Sequence, residues 1–392
     1  MNDLLFRGTL SDLDPAVADL INLESERQIR RLIMVPSEST IPYAVREALS
    51  SAFHNIYAEG YPDEETRQMS EDEILDIDTR LAHFRRYSDP RYYKGTEFAN
   101  LIESLARRRV AELFATEKYS ADKLFVNVQP LSGAPANSAV YTALINPGDT
   151  IMGMNLMHGG HLTHGSPVAR SGRQYNAVFY GVHPDTELLD YDQARAVAQQ
   201  HKPKIIIGGY SSYPWAPDWM KLRAIADEVG ALLMADIAHV AGLVAAYQYP
   251  SPVGIADIVT FTTHKTFGGP PGAVIVTHRA DLQRKLDRGV FPGEQGGPHV
   301  NSIAALAVAS NSPRLSSSAT CSGKTVKNAT ALTNYLKDQN LRIVYGGTDT
   351  HMLVVDCKVL TGADGTPLVA TLASASARSD RCHLQPQHAA HR

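Results

Sequence analysis

The chain has 392 residues, with 37 Lys and Arg against 41 Asp and Glu, a formal net charge of −4, 44% hydrophobic residues and 20% charged ones. This length suffices for two domains and a sizeable core, and the mild acidity excludes the basic face of a general nucleic-acid binder, leaving small molecules as the expected partners. Three cysteines, Cys321, Cys357 and Cys382, are too few and too irregularly spaced for a disulfide framework or a zinc site, which suits a reducing cytoplasm.

The first 20 residues place acids inside their apolar stretch and lack a basic segment followed by an apolar one, so they do not read as a secretory signal. No apolar run approaches the roughly 20 residues of a membrane helix. The expectation is a soluble, cytoplasmic protein with no membrane partner. Residues 15–33 mix Leu, Ile and Val with Glu and Arg at helical spacing, and Pro36 stops that helix. Residues 63–89 turn strongly charged and read as a solvated helical excursion inserted between two tyrosine-rich pieces; no chemistry is assigned to them.

A helix is expected over 97–115, then the strand KLFVNVQP and the loop LSGAPANSA, which opens a helix through Thr142. A strand, a small-residue turn and a helix amino terminus together make an anion site, although the same residue types also serve as simple caps. Further strands are expected at DTIMGMN, AVFYGV, KIIIGGYSS, ALLMAD, DIVTFTTHK and AVIVTH, with helical patterns such as MKLRAIADEVG between them. That alternation specifies a largely parallel sheet with helices on both faces. After Val308 the run SNSPRLSSSATCSGK interrupts what should be a helix, LRIVYGGTDTHMLVVDC reads as two strands, and residues 370–392 lack apolar periodicity. The expected organisation is an amino-terminal arm over 1–95 with the insertion at 63–89, a large domain over 96–300, and an incomplete small domain over 301–392 with atypical stretches at 309–324 and 370–392.

The most informative segment runs from Ala231 to Gly272. It puts Asp236 and Lys265 at the carboxyl ends of two apolar runs rich in Val, Ile, Leu and Thr, where open α/β sheets gather ligands. A carboxylate and a lysine in that relation are what pyridoxal phosphate needs: its ring nitrogen stays protonated against the acid, and its aldehyde is held as a Schiff base by the amine. Either residue alone would read as a helix cap or a solvated strand end. The polar crowd of Thr260, Thr262, Thr263, His264 and Thr266, followed by Gly268, Gly269 and Gly272, favours the site. His158, His161 and His164 offer imidazoles, but Gly159, Gly160 and Gly165 make the segment a loop and no carboxylate or cysteine completes a set in sequence, so no metal is expected.

With these residues in view, the chain resembles the serine hydroxymethyltransferases (glycine hydroxymethyltransferases) from about Ile33 to Val308 and again from Thr325 to Cys357. The motifs are AEGYP at 58–62, RYYKG at 91–95, NVQPLSGAPAN at 127–137, HGGHLTHGSP at 158–167, MADIAHVAGLVA at 234–245, TFTTHKTFGGP at 260–270 and FPGEQGGPH at 291–299. The resemblance implies an α/β, aspartate-aminotransferase-like fold of type I. That fold has a mostly parallel seven-stranded sheet flanked by helices and a small carboxyl-terminal α+β domain. It also implies pyridoxal 5'-phosphate as cofactor, tetrahydrofolate as co-substrate, serine and glycine as substrates, and a homodimer or homotetramer with shared sites.

Residue by residue, Lys265 resembles the family's Schiff-base lysine and Asp236 the partner of the pyridinium nitrogen. His161 is implied on one face of the ring and Ala238 on the other. The phosphate contacts are implied for Ser132, Gly133, Ala134 and His264, with Gly296 and Gly297 reaching in from a neighbouring subunit. Ser211 and His239 correspond to contacts with the cofactor's 3' oxygen and the substrate pocket. Glu59 matches the acid–base carboxylate near folate and the serine hydroxyl, Tyr57 and Tyr93 match tyrosines from the neighbouring subunit, and Ser37 matches a substrate-hydroxyl contact.

Two positions depart from the family pattern. Ala134, followed by Pro135, stands where a second serine is usual. The arginine that grips the substrate carboxylate, in a stretch like Arg-x-Gly-Thr-Pro, has no counterpart after Cys357, and Arg378, Arg381 and Arg392 lie in a patternless context. That departure carries one alternative, a member that holds cofactor while turning over amino acids poorly; another, folate-independent aldol cleavage of 3-hydroxy amino acids, shares the same core residues.

Overall fold

The computed structural model describes residues 7–311, 315–359 and 382–384. They fall in two compact units, Met1–Glu38 with Asp356–Arg392, and Ser39–Val355. In the first unit a helix over Pro15–Arg30, capped by Asp14 with proline at its first position, leads into strand β1 (Leu32–Met34). β1 pairs in parallel with the short strand β11 (Cys382–Leu384). This pairing lies inside the stretch 370–392 that shows no periodicity in sequence; the rest of that stretch, with Arg378, Arg381 and Arg392, lies outside the described residues.

The second unit is built on seven strands: β2 (Phe125–Asn127), β3 (Thr150–Met154), β4 (Asn176–Tyr180), β5 (Ile205–Gly208), β6 (Leu232–Asp236), β7 (Ile258–Thr262) and β8 (Ala273–Thr277). Their order is β2-β8-β7-β6-β5-β3-β4. The five central and distal strands run parallel, while β8 lies antiparallel to both of its neighbours. The strands are apolar on both sides because helices cover both faces: every residue of β5, β7 and β8 is buried. Chain order reverses between β3 and β5, and in such sheets the crevice beyond the carboxyl ends at that switch is where ligands settle. No helix among the described residues is long and apolar enough to cross a membrane.

Two expectations need correction. The charged stretch 63–89 forms a 3-10 turn at Glu64–Arg67 and helices over Glu71–Leu75 and Ile77–Tyr87, but it is not simply solvated: Thr66, Ile74, Arg80 and Phe84 are buried. The abundance of acids hid a narrow apolar stripe. The serine-rich run is corrected only in part: the helix Val300–Ala309 does end at Ser310, but from Leu315 the run is itself helical, as part of Leu315–Asp338. Hydroxyls there bond back along the same helix, Thr325 to the Cys321 carbonyl (2.9 Å), Thr330 to Val326 (3.1 Å) and Thr333 to Ala329 (2.8 Å), which removes their competition for outside partners.

The two expected strands near the end are β9 (Ile343–Val344) and β10 (Val354–Val355), paired antiparallel. The segment between them docks on the loop after β5. Trp215 Nε1 donates to the Tyr345 carbonyl (2.8 Å), the Ala216 N–H to the Asp349 carboxylate (3.1 Å), and the Asp349 N–H to the Pro214 carbonyl (3.2 Å).

One close approach fixes the sheet edge. Gly209, just past β5, has φ +114, and a Cβ there would sit 1.9 Å from the Asp236 carbonyl oxygen. Gly209→Ala is therefore expected to cost at least about 2 kcal/mol, read as a lower urea midpoint.

Candidate active site

Asp236 ends β6 and is buried. Asn137 Nδ2 donates to its Oδ2 (2.8 Å), His164 Nε2 lies 3.0 Å from the same oxygen, and the Ala238 N–H donates to Oδ1 (3.1 Å). Burial pushes this carboxyl up, but the His164 and Asn137 contacts hold it well below the usual carboxylate range, so it stays ionised in the interior. Asn137 is itself fixed: its Oδ1 accepts from Thr260 Oγ1 (2.8 Å) and its Nδ2 also reaches Thr163 Oγ1 (2.9 Å).

Thr163 passes that order on to His161. The Thr163 N–H donates to His161 Nδ1 (3.2 Å) and the Thr163 hydroxyl lies 2.7 Å from the same nitrogen. Nδ1 is thus an acceptor and the ring proton belongs on Nε2. Burial, the neighbouring His164 and Lys265 together pull His161 down to about 4, against the opposite pull of Asp236. His161 is a neutral ring at neutral pH.

Lys265 lies in the turn three residues past β7. Burial lowers its pKa below the usual lysine value while Asp236 works against the shift. Thr266 anchors this turn, with its hydroxyl donating to the His239 carbonyl (2.7 Å) and accepting from the Gly242 N–H (3.1 Å). His239 is buried, its Nδ1 has no hydrogen-bond partner, and its ring stacks on His351 at 6.0 Å. Burial and Lys265 keep both His239 and the half-buried His264 below the ordinary histidine value. Ser211 follows β5, its N–H bonded to the Gly159 carbonyl (2.8 Å). That bond ties the β5 loop to the β3 loop bearing His161, across the switch in strand order.

The helix Gly133–Leu144 starts beside these loops. Its cap, Ser132, makes no side-chain capping bond, and its first intrahelical donor is the Ala136 N–H to the Ser132 carbonyl (3.0 Å). The N–H groups of Gly133 and Ala134 remain, and Pro135 has none, so this terminus presents two backbone donors and a hydroxyl to an anion. Gly133 also packs where a Cβ would meet Thr262 Cγ2 at 2.7 Å.

A second group forms elsewhere in the same unit. Tyr57 donates to Glu59 Oε1 (3.3 Å) and its ring meets Tyr93 edge-on at 5.5 Å. Gly296 and Gly297 abut them, since Cβ atoms there would lie 3.1 Å from Glu59 Oε1 and 3.2 Å from Tyr57 Cζ. No hydrogen bond, ion pair or ring contact joins this group to the Asp236 and Lys265 group among the described residues. Ser37 belongs to the first unit, in the turn after β1.

The first group fits pyridoxal phosphate on its own chemistry. It has an ionised buried acid for a ring nitrogen, a neutral imidazole, a lysine of lowered basicity, an unsatisfied buried histidine nitrogen and a two-donor helix terminus. His161, His164 and Asp236 also bring three ligand-type atoms together, as do Asp63, Glu65 and His83. In the first set His164 Nε2 already serves Asp236 Oδ2, and His161 Nδ1 accepts from Thr163. In the second, Arg80 lies 3.1 Å from Glu65 and 3.8 Å from Asp63, which opposes a cation. Asn137 and Thr163 are functional neighbours that sequence reasoning did not single out, and His164, weighed there only as a metal ligand, serves Asp236 instead.

The histidine shift has a measurable consequence. Between the ordinary value of 6.5 and about 4, the unfolded chain takes up a proton that folded His161 refuses, so stability falls as pH drops through that window, by on the order of 3 kcal/mol. His239 and His264 act in the same direction. Urea midpoints of cofactor-free protein from pH 7 to pH 4.5 should decline, and His161→Asn should flatten the decline.

A sequence model described as serine hydroxymethyltransferase matches residues 10–89 and 82–381. Among curated relatives, the serine hydroxymethyltransferase of Synechococcus sp. (strain JA-3-3Ab) is 48% identical over 349 residues, 89% of this chain and 73% of the relative. That of Cyanothece sp. (strain PCC 7425 / ATCC 29141) is 46% identical over 349 residues, 89% and 74% of the two chains. That of Crocosphaera subtropica is 45% identical over 365 residues, 93% and 78%. With its seven-stranded sheet and these matches over most of its length, this chain belongs to the serine hydroxymethyltransferase family, whose fold is the pyridoxal phosphate fold of type I.

Proposed function

We propose that the protein interconverts serine and glycine, with tetrahydrofolate as one-carbon acceptor and donor and pyridoxal phosphate as cofactor. The observation that carries this reading is a buried, ionised Asp236 beside a Lys265 whose basicity burial has lowered, on one sheet edge of a chain from this family. When bound, the cofactor supplies an electron sink for the pair released at the substrate Cα.

The chain's own residues then have distinct tasks. Lys265 offers an amine that is more readily neutral than an exposed lysine, as a nucleophile toward a carbonyl must be. Asp236, kept ionised by Asn137 and His164, would hold a proton on the ring nitrogen. His161 would present a neutral ring face and so adds no charge beside the cofactor. The amino end of the helix Gly133–Leu144, with Ser132 and His264, would hold the phosphate; Ala134 contributes its N–H but no hydroxyl. Ser211 and His239 would contact the cofactor oxygen and the substrate. Glu59 would take and return the proton of the serine hydroxyl as the hydroxymethyl carbon leaves or arrives.

The assembly we infer is a homodimer in the cytoplasm. In the single chain Tyr57, Tyr92 and Tyr93 are exposed, by 60%, 77% and 46%, and Tyr57 and Tyr93 sit with Glu59, Gly296 and Gly297 in one group. A second copy that met its partner's sheet edge with this group would cover the tyrosines and complete the site, as aromatic-rich patches do at interfaces.

The test is covalent loading and turnover. Wild-type protein should retain borohydride-fixed pyridoxal phosphate at one per chain and convert serine to glycine only with tetrahydrofolate present. Lys265→Ala should retain none, and Glu59→Gln should load fully but turn over about 100-fold or more slowly. Fixed cofactor on Lys265→Ala would sink the assignment.

A further inference from the structure

The motif RYYKG has a part to play beyond its tyrosines. Arg91 is 1% exposed, and its guanidinium faces no solvent. Nη1 donates to the Ala58 carbonyl (2.7 Å) and to the Gly60 carbonyl (3.0 Å), the residues on either side of Glu59. The Tyr92 N–H donates to the carbonyl of Glu59 itself (3.0 Å). Three consecutive carbonyls are therefore held by two consecutive residues. Gln129 Nε2 adds a second donor to the Gly60 carbonyl (2.8 Å).

The clamp is rigid because its far side is saturated. Arg91 Nη2 meets Glu103 Oε2 at 2.6 Å, Nε donates to Asn100 Oδ1 (2.8 Å), and Glu103, fully buried, also pairs with Arg107 (2.6 Å). The Arg91 N–H donates to Asp89 Oδ1 (2.9 Å), and Asp89 also accepts from Asn100 Nδ2 (2.9 Å). Gly60 has φ +103, and a Cβ there would come within 3.3 Å of the Arg91 Cα, so the chain reverses against the arginine it is bonded to. Such a buried network is out of proportion to the turn it holds, unless the position of the side chain between the bonded carbonyls matters.

We propose that Arg91, fixed by Glu103, is a positioning residue for Glu59: it sets the backbone from which that carboxylate projects and acts on the reaction only through it. This rests on the acid–base reading of Glu59 given above. A rigid fork that reaches two carbonyls and a carboxylate at once is within reach of arginine and not of lysine.

A double-mutant cycle tests it. Arg91→Lys keeps a positive charge beside Glu103 but cannot bridge the same acceptors. It should lower kcat of the tetrahydrofolate-dependent reaction about 30-fold, as a displaced catalytic group does, with the KM for serine changed less than about threefold and full cofactor loading. In the Glu59→Gln background the same change should lower kcat less than about twofold. An equal loss in both backgrounds, or no loss in either, would overturn the proposal. If Glu59→Gln alone turns over at the wild-type rate, the reading of Glu59 fails instead, which is a separate result. If Arg91→Lys does not fold, Gln129→Met removes one tie to Gly60 together with the Gln129 bonds to Glu103, while leaving the Arg91–Glu103 pair. In that cycle a loss of about fivefold in wild type that disappears with Glu59→Gln supports the clamp, and a loss that persists rejects it.

Discussion

Asp236 stands at the end of a central strand, where removal from water favours the protonated acid, and the neighbouring residues are arranged against that tendency. Three donors converge on the carboxylate from three different segments: Asn137 from the helix after β2, His164 from the loop after β3, and the Ala238 N–H from the turn after β6. Holding one buried charge thus requires the connections after β2 and after β3 to end in register with the turn after β6. Asn137 is itself held, accepting from the Thr260 hydroxyl and reaching Thr163, which in turn orients His161. Loss of any of these segments would leave a desolvated charge without its partners, a costlier condition than never having buried it.

The Arg91–Glu103–Arg107 network repeats the principle away from the sheet edge. There too, ions are removed from water: Arg91 spends its donors on carbonyls, Asn100 and Glu103, while Arg107, whose buried nitrogens lack hydrogen-bond partners, is held by its charge against Glu103. Each network stiffens a piece of irregular backbone, the turns beyond the strands in one case and the Ala58–Gly60 segment in the other. Loops that must hold a chemical group in place gain precision from this, because packing alone constrains them poorly.

What the sequence disclosed follows from how local each signal was. The strands were readable because burial on both faces makes each one a continuous apolar run, and Asp236 and Lys265 stood out because both terminate such runs. The partners of Asp236 were not readable: Asn137 and His164 are separated from it by 99 and 72 positions, and an asparagine at the end of NVQPLSGAPAN looks like any helix residue. The spacing of His161 and His164 was noticed but weighed only as a metal pattern, whereas the second imidazole serves the carboxylate. Arg91 was hidden by its own type, since an arginine beside tyrosines reads as surface until its burial is known. The acidic stretch 63–89 misled through composition, with Ile74 and Phe84 too sparse to mark a face.

The docking of the β9–β10 segment runs through the Tyr345 and Pro214 carbonyls and the Asp349 and Ala216 N–H groups, with the Trp215 indole, the Asp349 carboxylate and the Thr348 hydroxyl, which donates to the Pro214 carbonyl (3.3 Å), contributed by side chains. Main-chain groups carry no residue identity. Purifying selection for this attachment therefore falls on the side chains of Trp215, Thr348 and Asp349, while Pro214 and Ala216, which lend it only main-chain groups, have more freedom to diverge.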